Sequence, residues 1–286
     1  MPERAPELKL RPTTRFAPAP TGYLHVGHVL NAIYVWGVAQ AIGARVLLRI
    51  EDHDRQRSRP EYERALVEDL QWLGFEPAGT SRQSDRDAIY EAALAGLRDA
   101  GLLYACDCSR KQIGAARYPG TCRNRGLEEA PGRGIRVRIG EGTETFDDLL
   151  IGRQTQSPAG QAGDVLLRDR HGIWTYQFAA TVDDHAQGVT HVIRGDDLLD
   201  STGRQLRIAR LIGRADPPVF LHHPLIMKTP EQKISKSDAD TGIRELRAGG
   251  WSAARVIGFT AALAGLIPAP LDLTVSDLTE LVFTHG

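Results

Sequence analysis

Apolar positions along the chain alternate between two periods, and the alternation predicts a mixed α/β protein. Residues 13–16, TTRF, read as a short buried strand running into a Pro- and Gly-rich loop, APAPTGYLHVGH. A helical apolar pattern follows from about Val29 to Ile42, with Gly43 placed to stop it. RVLLRI (45–50) is a continuous apolar run, as expected for a strand covered on both faces of a parallel sheet. Strand, loop, helix and strand make a βαβ unit with a right-handed crossover. Two more helices are predicted at 60–73, with Leu66, Leu70 and Leu73 on one face, and at 86–102, with Ile89, Ala93 and Leu97 on one face.

Residues 164–178, DVLLRDRHGIWTYQF, show two strand-like runs about a Gly172 turn and predict a hairpin. THVIRG (190–195) and VFLHH (219–223) are further strands, separated by a helix over Leu198–Leu211. From Thr241 the pattern is helical to about Leu266, with a short tail after Pro270. Residues 106–164 break the pattern: they hold all three Cys, much Gly and Arg, and little periodicity. The expected organisation is one α/β domain in two parts, 10–105 and 165–240, interrupted by an insertion at 106–164 and followed by a helical region at 241–286.

Composition narrows the class. Hydrophobic residues at 42% and charged residues at 25% exclude a disordered, collagen-like or coiled-coil chain. A formal net charge of −1 excludes a uniformly basic surface, so any contact with nucleic acid must use a local patch. Arg110, Lys111, Arg117, Arg123 and Arg125, in the insertion, are candidates for one; the plain alternative is that they solvate a loop. Three Cys form no disulfide framework, and a reduced, cytoplasmic protein is expected. The start, MPERAPELKLRP, lacks the apolar core of a signal peptide. The apolar stretch 251–271 is broken by Arg255, Pro268 and Pro270, so it reads as a core helix and not a membrane span.

Two constellations carry chemistry. His25-Val26-Gly27-His28 sits where the first strand gives way to a helix, and a helix N-terminus presents N–H groups and partial positive charge to an anion such as phosphate. The plain alternative is a pair of loop histidines capping the helix. Lys233-Ile234-Ser235-Lys236-Ser237 concentrates ammonium groups, since the chain has only five Lys and three of them (Lys228, Lys233, Lys236) fall within nine residues. Such a loop suits a mobile clamp on a charged leaving group, or is simply a solvated basic turn. A third cluster, CDCSRKQIGAARYPGTC, supplies three thiolates for a tetrahedral, closed and therefore structural zinc site, or three reduced Cys of a small core.

HVGH after a first strand and KISKS after a late one, in that order, resemble the class I aminoacyl-tRNA synthetases. RFAPAPTGYLHVGH, RIEDHD, YQFAATVDDHAQGVTHVIRGDDLLDST and KISKS resemble the glutamyl branch, over about Arg15 to Ser237. Forty-nine residues follow Ser237, too few for an anticodon-binding domain of typically ~100–200 residues. That narrows the resemblance to the glutamyl-Q tRNA(Asp) synthetases. It implies a Rossmann-like catalytic domain and ATP-dependent, tRNA-independent activation of L-glutamate to glutamyl-adenylate. Glutamate then passes to the queuosine base in the anticodon loop of tRNA-Asp. A truncated glutamyl-tRNA synthetase charging tRNA-Glu, or a non-catalytic tRNA-binding paralogue, are the rival expectations.

The resemblance also implies residue roles. His25, His28 and Lys236 are the catalytic set, and with Lys233 they bind ATP and its Mg²⁺. Arg15, Phe16, Ala17, Pro18 and Ala19 line the glutamate pocket, Glu51 takes the ammonium group, and Tyr176 and Arg194 close it. One structural zinc is implied on Cys106, Cys108, Tyr118 and Cys122, the Tyr being implied by the resemblance alone. Ala19 stands where the branch usually has Ser, which leaves only a backbone contact there. His53 in EDHD is also unusual for the branch and receives no role.

Overall fold

The computed structural model describes residues 11–114, 117–229, 232–233 and 242–283. In chain order its first half runs β1 (Thr13–Phe16), α1 (Val26–Ile42), β2 (Arg45–Ile50), α2 (Pro60–Leu73), β3 (Gly79–Arg82), α3 (Asp87–Asp99), β4 (Leu103–Cys106), α4 (Arg110–Ile113), β5 (Gly134–Val137), β6 (Glu144–Asp148), β7 (Gly152–Gln156) and α5 (Pro158–Ala162). The second half runs β8 (Val165–Arg168), α6 (Tyr176–Ala186), β9 (His191–Gly195), α7 (Thr202–Leu211), β10 (Val219–His223), β11 (Met227–Thr229), β12 (Gln232–Lys233), α8 (Ile243–Ala248), α9 (Ala253–Leu263) and α10 (Leu278–Phe283).

β1, β2 and β3 pair in parallel, Thr13 facing Arg45 and Leu47 facing Gly79. β9, β10 and β6 are likewise parallel, with β7 antiparallel at the edge. The two groups meet at β1 and β9. There the Thr190 N–H donates to the Thr13 carbonyl (2.8 Å) and the Thr13 N–H to the Thr190 hydroxyl (2.9 Å). Across the layer the order is β3-β2-β1-β9-β10-β6-β7, so successive strands are added in opposite directions on either side of the β1/β9 seam. In an open α/β sheet that seam opens a crevice at the carboxyl ends of the strands. A second, antiparallel sheet, β4-β5-β8, stands apart. Strand pairing crosses both ends of the 106–164 segment, since β4 and β8 flank it and Asp148 of β6 pairs with Phe220 of β10.

Local signals explain most elements. α1 is buried along most of its length because it lies between the sheet and helices α9 and α10. It ends at Gly43 (φ 65°), whose left-handed conformation lets the Ala44 N–H cap the Ala39 carbonyl. α2 starts on Pro60 and buries Leu66, Leu70 and Leu73, as its spacing predicts. Elsewhere the expectations need correction. Residues 164–178 are not a full hairpin: Trp174 only bridges Arg168, and the chain turns at Tyr176 into α6, which buries Phe178, Ala179 and Val182. In α3 the inward stripe is Tyr90, Leu94 and Leu97, while Ile89 is exposed, because the Tyr90 hydroxyl reaches the buried Asp183. Residues 196–201 are a 3-10 turn and helix begins only at Thr202. The chain after Pro270 is more than a tail, since Leu273, Leu278, Leu281 and Val282 join the main core against α1. No helix among the described residues is long and apolar enough to cross a membrane.

Two glycines let that last segment lie so close. A Cβ on Gly258 of α9 would fall 1.5 Å from the Leu271 carbonyl oxygen, and one on Gly37 of α1 would fall 2.8 Å from that of Leu278. By contrast, a Cβ on exposed Gly96 of α3 meets nothing within 4 Å. Gly258→Ala should therefore destabilise the protein by about 1–3 kcal/mol despite the better helix propensity of Ala. Gly96→Ala should stabilise it by about 0.5–1 kcal/mol. Urea unfolding of both variants checks the opposite signs.

Candidate active site

The crevice holds a cavity of about 560 Å³. It gathers ten of the residues singled out in the sequence: Arg15 through Ala19 at the end of β1, His25 and His28 at the start of α1, Glu51 after β2, Tyr176 at the start of α6 and Arg194 on β9. Lys236 lies outside the described residues, as do Ile234, Ser235 and Ser237. Of Lys233 only the backbone is described, pairing with Met227 in a short antiparallel ladder.

The two histidines cap α1 reciprocally. His25 Nδ1 accepts from the Gly27 N–H (3.0 Å), and His28 Nδ1 accepts from the His25 N–H (3.2 Å). Gly27 has no side chain because a Cβ would lie 2.8 Å from the His25 ring. An imidazole that accepts through Nδ1 in its neutral form carries its proton on Nε2. Each ring therefore offers an Nε2–H donor, at a helix terminus that already favours anions.

Below the cavity lies a buried ion network. Arg49, fully buried in β2, donates to Asp184 (2.5 Å) and lies 3.7 Å from Asp183. Arg15 donates through Nε to the same Asp184 (3.1 Å) and through Nη1 to the Ile193 carbonyl (3.3 Å). Asp183 also accepts from Arg86, Gln83 and Tyr90. Burial alone would raise the Asp184 carboxyl, but Arg15 and Arg49 hold it down to about 2. Glu51 is treated differently. Its closest cation is Arg49, 3.9 Å away, and burial pushes its carboxyl up to about 7 against the pull of Arg49 and Arg15. Arg49 Nη1, on that same side, has no hydrogen-bond partner among the described residues.

Arg194 is 4% exposed and forms no ion pair within 4.0 Å among the described residues. Its contacts are to neutral groups, including Gln205 (2.7 Å), Thr202 (2.8 Å) and the Tyr176 hydroxyl (3.5 Å). The cavity thus presents a buried cation with no carboxylate in contact among the described residues, a carboxylate only partly compensated, and N–H donors at a helix end. Such a set suits an amino acid with an anionic side chain beside a phosphate. Sequence reading missed Arg49, Asp183, Asp184, Thr202 and Gln205; the signal available was a charged residue inside the apolar run RVLLRI, which must find partners elsewhere.

The three cysteines converge. The sulfurs of Cys106, Cys108 and Cys122 all lie within 4.8 Å of one another, and the Tyr118 hydroxyl is 3.5 Å from Cys106 Sγ. Thiolates on 2.3 Å arms around a tetrahedral ion sit about 3.8 Å apart, so the spacing fits a metal. Burial and the neighbouring Cys122 thiol push the Cys108 thiol up to about 11. Arg136 donates to Cys106 Sγ (3.3 Å) and lies 3.7 Å from the centre of the Tyr118 ring.

A second cavity, of about 780 Å³, shares Tyr176 with the first and is lined by Cys106, Cys108, Arg57, Arg170, His171 and Trp174, among others. Of the insertion's basic residues, Lys111 is exposed, Arg117 donates to the Ala159 carbonyl, Arg123 pairs with Asp164 (3.2 Å) and Arg125 with Asp107 (2.8 Å). His53 lines this second cavity, its Nδ1 2.5 Å from the Gln83 side-chain oxygen.

A family model for the catalytic domain of class I tRNA synthetases (E and Q) matches residues 12–267. The chain is similar to the glutamyl-Q tRNA(Asp) synthetase of Nitratidesulfovibrio vulgaris, 39% identical over 94% of this chain and 91% of that protein. It is similar to that of Ectopseudomonas mendocina, 44% identical over 78% of this chain and 76% of that protein. A glutamate–tRNA ligase of Frankia alni is 39% identical over 84% of this chain but 53% of its own length. Among solved structures, a glutamate tRNA ligase from Elizabethkingia meningosepticum in complex with its amino acid aligns with a TM-score of 0.78 at 26% identity, over 95% of this chain and 64% of that one. The chain therefore spans less than two thirds of that ligase.

The environment of Glu51 makes a direct prediction. Carbon-13 NMR of its side-chain carboxyl in the free protein should show a midpoint near 7, far above the ordinary value of about 4.3. A midpoint below about 5 would show that Arg49 and Arg15 outweigh burial.

Proposed function

The chain belongs to the class I tRNA synthetase family for glutamate and glutamine, and from that premise we propose that it activates L-glutamate with ATP and transfers the glutamyl group to the queuosine base of tRNA-Asp. One observation carries the amino-acid assignment: the cavity contains a buried guanidinium, Arg194, without a carboxylate partner among the described residues, together with the partly compensated Glu51. Glutamate supplies both missing charges. Its side-chain carboxylate goes to Arg194 and the Tyr176 hydroxyl, and its ammonium group to Glu51. Arg15, held by Asp184 and the Ile193 carbonyl, shapes the wall beside Phe16, Ala17 and Pro18. Ala19 offers only its backbone.

The α-carboxylate is already a nucleophile at neutral pH. One of its oxygens attacks the α-phosphorus of ATP, the bond from that phosphorus to the β-bridging oxygen breaks, and pyrophosphate leaves. No proton need move, so the chain's contribution is alignment and stabilisation of charge on the phosphates. His25 and His28 donate through Nε2, and Lys236, with Lys233, holds the departing pyrophosphate. Mg²⁺ bound with ATP would supply further charge neutralisation. In the second step a hydroxyl of the tRNA base attacks the activated carbonyl, the bond from that carbonyl carbon to the phosphate oxygen breaks, and AMP leaves, its phosphate accepting the hydroxyl proton. The larger cavity, joined at Tyr176, supplies the approach for that base, with Arg57 and Arg170 for phosphates. Cys106, Cys108, Cys122 and Tyr118 would hold a zinc ion, which would tie down the wall of that approach.

The acceptor assignment rests on the glutamyl-Q relatives. Glutamate-dependent ATP–pyrophosphate exchange should proceed without tRNA, and glutamate should attach to queuosine-containing tRNA-Asp but not to tRNA-Glu. Charging of tRNA-Glu would establish the ordinary ligase activity instead, and no exchange at all would leave a binding paralogue. Lys236→Ala should lower exchange by roughly 10²–10³. Because only ionised Glu51 attracts the ammonium group, kcat/KM for glutamate should climb with pH up to about 7 and level off above it, a rise that Glu51→Gln abolishes. Elemental analysis should find one zinc per chain; Cys122→Ser should lose the metal, with Tyr118→Phe retaining it more weakly.

A further inference from the structure

Among the described residues the Arg194 guanidinium donates only to neutral acceptors. Besides Gln205, Thr202 and Tyr176, its Nε donates to His222 Nε2 (3.1 Å). A carboxylate stands one residue further back: Asp148 Oδ2 lies 2.6 Å from His222 Nδ1 and accepts the His222 backbone N–H (3.1 Å). All three residues are buried, and Asp148 is itself fixed by the N–H groups of Leu150 and Ile151. An imidazole held between an acid and a guanidinium has one consistent tautomer. Nδ1 carries the proton and donates to Asp148, and Nε2 accepts from Arg194. Asp148 comes from β6, which pairs directly with β10 although it lies 74 positions before His222 in the sequence.

We propose that Asp148 and His222 are positioning residues for Arg194, fixing the guanidinium through a neutral acceptor so that its whole charge is left for the side-chain carboxylate of the substrate. A carboxylate in direct contact would hold Arg194 as firmly, but it would also neutralise it, as Asp184 does for Arg15. The imidazole separates the two tasks. The same arrangement selects an acidic side chain over its amide, because glutamine would leave the buried cation without a counter-ion. The inference rests on the reading of Arg194 as the substrate anchor.

The test is pyrophosphate exchange on the whole protein, with KM measured separately for glutamate and ATP. Asp148→Asn offers His222 a donor and favours the opposite tautomer. It should raise the glutamate KM about ten- to a hundredfold, the size of one hydrogen bond to a charged group, while the ATP KM stays within about twofold. His222→Leu should do the same, and His222→Gln, which returns an acceptor near the Nε2 position, should recover much of the loss. Nitrogen-15 NMR should find the His222 proton on Nδ1 in the native protein and on Nε2 in Asp148→Asn. Arg194→Ala is the control. If it leaves the glutamate KM unchanged, the anchor reading falls and the positioning role with it. If it raises that KM while Asp148→Asn and His222→Leu do not, the anchor stands and the positioning role is overturned. A native ring protonated on Nε2 overturns it too, and this decides the matter even where a variant fails to fold.

Discussion

Arg49 is a guanidinium withdrawn entirely from water in the middle of a parallel sheet, and the crevice is organised around its neutralisation. Moving such a charge out of water costs several kcal/mol even after relaxation. Asp183 and Asp184, consecutive on α6, offset that cost from the other side of the β1/β9 seam. Asp184 serves Arg15 as well. The network therefore ties the last turns of α6 to the ends of β1 and β2. With α6 anchored, Tyr176 at its other end is held at the cavity wall. Removing one partner would leave an uncompensated buried charge, typically a loss of about 3–5 kcal/mol. Replacing the whole network by apolar residues would cost less in stability and would erase the cavity's charge pattern.

That pattern is graded. Arg15 is paired with Asp184, which it shares with Arg49; Arg194 touches no carboxylate among the described residues, and Glu51 has Arg49 only at 3.9 Å. Counting Arg15, Arg49 and Arg86 against Asp183, Asp184 and Glu51, the network is neutral only when Glu51 is ionised, and burial resists that ionisation. An incoming ammonium group shifts the balance toward the ionised form. An incoming carboxylate finds Arg194 already desolvated and oriented, so little ordering remains to be done at binding. The protein's own groups thus leave the cavity electrostatically incomplete in the two places where an acidic amino acid carries opposite charges.

Much of this was legible in the sequence because the signals are local. The βαβ unit, α2 with its Pro start and Gly stop, and the Pro/Gly loop before HVGH follow from periodicity and punctuation within about twenty residues. The gathering of Arg15–Ala19, His25, His28 and Glu51 around one cavity was instead implied by the resemblance to the glutamyl branch. What was hidden depends on partners far apart in sequence. Asp148 meets His222 across 74 positions and Arg49 meets Asp184 across 135. No period announces such a pair. The inward stripe of α3 was misread because Tyr90 scores as less apolar than Ile89, yet Tyr90 brings the hydroxyl that Asp183 needs. The packing of residues 271–282 was hidden by Gly37 and Gly258, whose meaning is a close approach visible only in three dimensions.

The histidines show why capping and chemistry were false alternatives in reading this sequence. A ring nitrogen engaged by the protein's own groups fixes the role of the other. At His25 and His28 the backbone of α1 donates to Nδ1, which puts the proton on Nε2 and makes each ring a donor, as an anion requires. At His222 the direction is reversed. Asp148 accepts from Nδ1, so Nε2 has no proton and becomes an acceptor, as a guanidinium requires. The same side chain, with the same unperturbed titration, is set to opposite tasks by the contact on its far side. On the proposed function, the helix cap at residue 25 also serves to handle phosphate, and a buried aspartate on the neighbouring strand β6 serves to recognise a carboxylate.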